Sequence, residues 1–139
     1  MKTCPNCRIR RATKRLSVQV TLDKLAGFLV KQRAGFKCQR CHKPGETNSQ
    51  GQPIIGLEWA HIKVRRFKGA KWHLDNAMSL CHDCHAYFGT REAEWMRFVD
   101  SKFGAGHYER MEQLANRTWD KDLGKILAEL RAYEKRRAA

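Results

Sequence analysis

Apolar positions follow two rhythms along this chain. Leu22, Leu25, Ala26 and Leu29 recur at helical spacing, which predicts one packed face on a helix within 17–36, with Thr21 available as a cap and Gly35 as the stop. The rhythm lapses over 43–53, where Pro, Gly, Ser, Asn and Gln predict a loop. Ile54 to Ile62 reads as a strand, 63–73 as a basic loop, Ala77 to Leu80 as a short return strand, and Cys81 onward as a short helix ending near Gly89. Beyond Gly89 the helical period returns. Trp95, Phe98, Val99 and Phe103 mark one helix, and Gly104 and Gly106 form the break. Tyr108, Met111, Leu114 and Ala115 mark a second; Trp119, Leu123, Ile126, Leu127, Leu130 and Tyr133 mark a third. Lys135, Arg136 and Arg137 suit the carbonyl end of that last helix. These stripes are core positions rather than a cofactor box. The fold class is a small α+β domain, mostly helical, with a strand–loop–strand–helix unit at its centre.

Length changes little: 139 residues suit one domain, and an apolar fraction of 42% supplies a modest core that a metal staple would help. Charge changes more. With 28 Lys+Arg against 14 Asp+Glu, the formal net charge of +14 predicts a polyanionic partner. Part of that charge lies in residues 1–16, a basic N-terminal arm carrying Arg8, Arg10, Arg11, Lys14 and Arg15. No apolar run is long enough for a membrane span, and the first residues lack the apolar stretch of a secretory signal, so a cytoplasmic protein is expected.

All six cysteines fall in C-x-x-C pairs, which in a reducing compartment points to metal rather than disulfides. A C-x-x-C turn presents two sulfurs to one ion, and two such turns complete a tetrahedral Zn²⁺ shell. Cys38, Cys41, Cys81 and Cys84 are the expected tetrad. The interval 42–80 is longer than a compact ribbon needs, which implies an inserted module. The pair Cys4/Cys7 is half a shell; it can meet a second copy's pair, recruit a His, stay metal-free or replace one of the others.

The run Glu58-x-x-His61, then Asn76, then Cys81-x-x-Cys84-His85, resembles the HNH endonucleases with their ββα-metal fold, over roughly 38–89. More narrowly, the chain is similar to phage recombination nucleases of the NinG (Rap) type, through the acid three residues before the His, the basic loop and a helical tail with a Trp-containing cap. The resemblance divides the chain into the arm (1–16), a helix (17–36), the HNH module with its zinc knuckles (37–89) and a helical C-terminal region (90–139). It implies His61 as general base, Asn76 as the residue that holds the loop or orients the His, and His85 as a ligand of a catalytic Mg²⁺ or Mn²⁺, with Ni²⁺ or Co²⁺ as softer options. Ala60 departs from the family pattern, since many members carry a metal ligand there. Glu58 is then the nearest carboxylate, with Asp75 and Asp83 as fallbacks. His42 and His82 are expected to flank the knuckle and face solvent, His73 to be an ordinary loop residue, and His107 to be structural.

Lys63, Arg65, Arg66, Lys68 and Lys71 fall between His61 and Asn76, where cations would press a phosphate backbone against the base. Such contacts position and do not read sequence, and the basic arm from Arg8 to Arg15 together with Arg131, Lys135, Arg136 and Arg137 is expected to extend the footprint. The expected function is therefore a metal-dependent DNA endonuclease of low sequence specificity, nicking or structure-selective, in a host cytoplasm if phage-encoded. Whether it acts as monomer or homodimer stays open. The alternative is a zinc-knuckle nucleic-acid binder without catalysis, favoured by Ala60.

Overall fold

A computed structural model describes residues 5–63, 68–117 and 122–138, with side chains described from Thr13 onward except at 68 and 69. Cys4, Arg65, Arg66 and Trp119 lie outside the described residues, as do the side chains of Cys7, Arg8, Arg10, Arg11 and Lys68.

The first element is one long helix, α1 (Pro5–Arg33), which starts well before residue 17 and absorbs most of the segment expected to be an arm. A dense run of Arg and Lys is a good helix former, and a proline fits the first turn, where no amide is missed. Thr21 is therefore not a cap; it lies inside the helix and its Oγ1 donates to Ser17 O. The helix stops where Gly35 and Phe36 take left-handed φ of 68° and 57°.

The expected single strand over 54–62 is two strands. Gly56, at φ 86°, turns the chain between β2 (Pro53–Ile55), which pairs with β1 (Glu46–Thr47), and β3 (Leu57–His61). The β1–β2 hairpin approaches so closely that a Cβ on Gly45 would fall 2.2 Å from Pro53 O, so no larger residue fits there. β3 pairs antiparallel with β4 (Ala77–Cys81), Leu57 opposite Cys81 and His61 opposite Ala77. The connection between them holds α2 (Lys68–Lys71) and a 3-10 turn (Leu74–Asn76). The chain continues through α3 (His82–Phe88), α4 (Glu92–Phe103), α5 (His107–Ala115) and α6 (Leu123–Ala138). The fold is thus small α+β, mostly helical, with two small antiparallel sheets. Among the described residues no helix is long and apolar enough to cross a membrane.

The β3–β4 ribbon divides two hydrophobic cores. Ala60 and Met78 point to one, packed with Phe88, Trp95 and Val99 from α3 and α4. Trp59 and Ala77 point to the other, packed with Leu22, Ala26 and Leu29 of α1 and Leu130 of α6. The 3-10 turn is held from both sides. Arg33 donates to Ala77 O (2.8 Å) and pairs with Asp75, while His107 Nε2 donates to Asp75 O (2.7 Å). That tie gives buried His107 its structural role.

Candidate metal centre and adjoining cleft

The two C-x-x-C turns come from opposite ends of the central module. Cys38 and Cys41 sit on a tight turn in which Cys38 N donates to Lys43 O and His42 N to Cys38 O, His42 taking φ 64°. Cys81 ends β4, and Cys84 lies one turn into α3. The knuckle is stitched to the strand by Gln39 N to Ser79 O (2.8 Å) and Ser79 N to Gln39 Oε1 (2.9 Å). The four Sγ atoms lie within 4.8 Å of one another, and Cys41 Sγ is 3.7 Å from Cys81 Sγ. Tetrahedral zinc with Zn–S near 2.3 Å needs sulfurs about 3.8 Å apart, so the cluster can hold such an ion. Burial pushes the Cys38 thiol up, but hydrogen bonding from the Cys41, Cys81 and Arg40 backbone outweighs it and brings it to about 7. Burial pushes Cys84 up to about 12 despite the guanidinium of Arg40, which donates to its Sγ at 3.5 Å and lies 3.9 Å from the Tyr87 ring centroid. Arg40 is a cationic neighbour for a thiolate-rich shell that the spacing of cysteines does not reveal.

Of the residues expected to act on substrate, the structure brings Glu58 and His85 together. Glu58 Oε2 meets His85 Nδ1, and Oε1 lies 2.8 Å from His82 Nδ1. Both histidines occur on the first turns of α3, three apart and so on one face. His82 is largely exposed, as expected, but it is engaged with Glu58, which its position beside a cysteine did not suggest. The hydrogen bond with His85 leads in holding the Glu58 carboxyl below its usual range, and the same carboxylate raises His82. The signs set a window. The part owed to Glu58 is lost as pH falls through its lowered folded value, and the part owed to His82 is lost as pH rises through its raised folded value. In the zinc-loaded protein, Glu58→Gln should therefore return the His82 titration, followed by imidazole NMR, toward its ordinary value. An unchanged His82 midpoint would show the contact absent in solution.

His61 lies elsewhere. Side chains alternate along β3, so His61 shares a face with Trp59, their rings 4.2 Å apart. Its Nε2 is 3.0 Å from Lys71 O. A carbonyl only accepts, so Nε2 carries the hydrogen and Nδ1 is the basic nitrogen. Ala60 is fully buried.

Asn76 is fully buried under the loop. Its Oδ1 accepts from Lys63 N (2.9 Å), and its Nδ2 donates to Lys63 O and Ala70 O (3.1 Å each). The carboxamide clamps the segment that supplies Lys71 O to His61. Asn76→Ala leaves those three backbone groups without their partner, each costing about 1–3 kcal/mol. A loss of about 3 kcal/mol or more in urea unfolding is expected, and a variant as stable as the parent would remove the clamp.

Two of the expected phosphate-binding cations are occupied internally. Lys63 Nζ donates to Tyr108 OH (3.0 Å) and pairs with Glu112 (3.1 Å); burial lowers it, but these partners leave its pKa raised overall. Lys71 Nζ lies 3.3 Å from Asp23 Oδ1, which also accepts from Trp72 Nε1 (2.8 Å). His73 Nδ1 accepts from Asp75 N (3.3 Å), capping the 3-10 turn, while Asp75 itself pairs with Arg33.

Beside the Glu58–His85 pair opens a cleft of about 930 Å³, walled by α1, the β1–β2 hairpin, β3 and α6. Lys31 of α1 and Arg131 of α6 line it together with Glu58 and His85. Burial lowers the pKa of Lys31, against a smaller opposing pull from Glu58. Sequence reading missed Lys31 because it lies within a helix whose apolar stripe signals packing. No known family, curated protein or solved structure matches this chain.

Proposed function

We propose that the chain is a metal-dependent DNA endonuclease of the HNH kind. The observation that supports it most is the order β3–loop–β4–α3, closed by the cysteine tetrad, with His61 at the end of β3, Asn76 beneath the loop and His85 on the helix. In this reading His61 Nδ1 takes a proton from water as the water oxygen bonds to phosphorus and the bond to the 3′ oxygen breaks. Lys71 O fixes the tautomer that permits this, and Asn76 holds the segment carrying that carbonyl. His85 would hold a Mg²⁺ or Mn²⁺ ion, with Glu58, bonded to its Nδ1, positioning the ring. The ion supplies charge stabilisation for the phosphorane and the leaving oxygen.

A specific observation favours the competing reading of a non-catalytic zinc-knuckle binder: Ala60 is fully buried and offers no ligand beside His61. Incubating zinc-loaded protein with supercoiled plasmid and Mg²⁺, Mn²⁺, Ni²⁺ or Co²⁺ separates the two. Nicking that EDTA stops supports the enzyme; salt-sensitive binding with intact plasmid under every ion supports the binder.

A further inference from the structure

Of the five loop cations predicted to hold DNA, Arg65, Arg66 and the side chain of Lys68 lie outside the described residues. Lys63 and Lys71 are spent on Glu112 and Asp23. In the cleft beside Glu58 and His85, Lys31 is half-buried on the last turn of α1, and no hydrogen bond to its ammonium forms among the described residues. Arg131 stands exposed in the wall supplied by α6. The acids of the cleft are mostly committed. Glu58 is held by two imidazoles and Asp23 by Trp72 and Lys71, which leaves Glu134 as the acid opposing these cations.

We propose that this cleft is the track by which one DNA strand reaches the Glu58–His85 pair, with Lys31 and Arg131 binding its phosphodiester backbone. The assignment rests on the endonuclease reading for the choice of substrate. A partly desolvated ammonium without a hydrogen-bond acceptor is costly, and a phosphate oxygen removes that cost. Both cations come from helices outside the cysteine-bounded module, so α1 and α6 contribute to substrate binding as well as to the second core.

The test is fluorescence anisotropy of labelled single-stranded and duplex DNA with the full zinc-loaded chain and no other divalent ion, so that nothing is cut. Lys31→Gln should weaken binding about tenfold and lower the slope of log Kd against log salt by about 1. Lys31→Arg should restore most of the affinity, Arg131→Gln should weaken binding, and Glu134→Gln should tighten it. Lys102→Gln on α4, which removes the same charge outside the cleft, should change affinity less than about twofold. Equal losses in Lys31→Gln and Lys102→Gln would overturn the track, as would a Lys31→Arg protein as weak as Lys31→Gln. A parent protein that shows the Lys31 and Glu134 effects yet cuts no DNA retains the track and sinks the nuclease reading. One that cuts DNA with Lys31→Gln binding unchanged does the reverse.

Discussion

Stripping a zinc ion from the cysteine tetrad should unfold the centre of this protein. A strong thiol chelator, or Cys84→Ser, removes binding energy of about 10 kcal/mol or more that is coupled to folding. A domain of this size has about 5–15 kcal/mol of total stability, so little remains. The geometry explains why the loss spreads. Cys38, Cys81 and Cys84 belong to the same buried cluster as Leu57, Met78 and Phe88, and the knuckle is bonded to β4 through Gln39 and Ser79. Without an ion, four crowded thiols with a lowered Cys38 and a raised Cys84 have, among the described residues, only Arg40 as a cationic hydrogen-bond partner. Circular dichroism should show loss of the cooperative melt on chelation and its return when Zn²⁺ is added back. A chelated protein with the parent's melting temperature and a zinc content of zero would show the cluster to be structural without metal.

The second large effect is kinetic. His61→Ala should reduce plasmid nicking by on the order of 10² to 10⁴, the range for a lost general base, while DNA affinity and the thermal melt stay near the parent's. His61 is half-buried at the end of β3, so truncation opens little of either core. The split between rate and affinity matters because a merely structural role would lower both. Exogenous imidazole should restore part of the rate if the missing group is a base. Full activity in His61→Ala would remove this residue from the chemistry, whatever the tetrad does.

Local pattern carried much of the fold into view. The helical stripes ending at Phe103, Ala115 and Tyr133 correspond to α4, α5 and α6, and the strand–loop–strand–helix order is the β3–β4–α3 unit. The misreadings have local causes. Gly56 sits inside an apolar run that reads as one strand, and only its positive φ divides the run. The basic residues before 17 carry a solvation signal as strong as their helix propensity, and α1 follows the propensity. In the site, cysteine spacing was enough to name the tetrad, because two rigid turns need only meet. Cation roles were not legible: charge is visible in sequence, but Glu112 and Asp23, which claim Lys63 and Lys71, are remote along the chain. The same distance hid Lys31, whose place beside Glu58 depends on how α1 crosses the ribbon.

A ribbon covered on both sides has no forgiving face. Alternation normally lets a two-stranded hairpin drift at every other position, since half of its side chains meet water. Here all 5 residues of β4 are buried, including Ser79. Consecutive positions from Ala77 to Cys81 should therefore resist replacement alike, and a mutational scan would find there an unbroken block of intolerance instead of the two-residue rhythm usual for a strand.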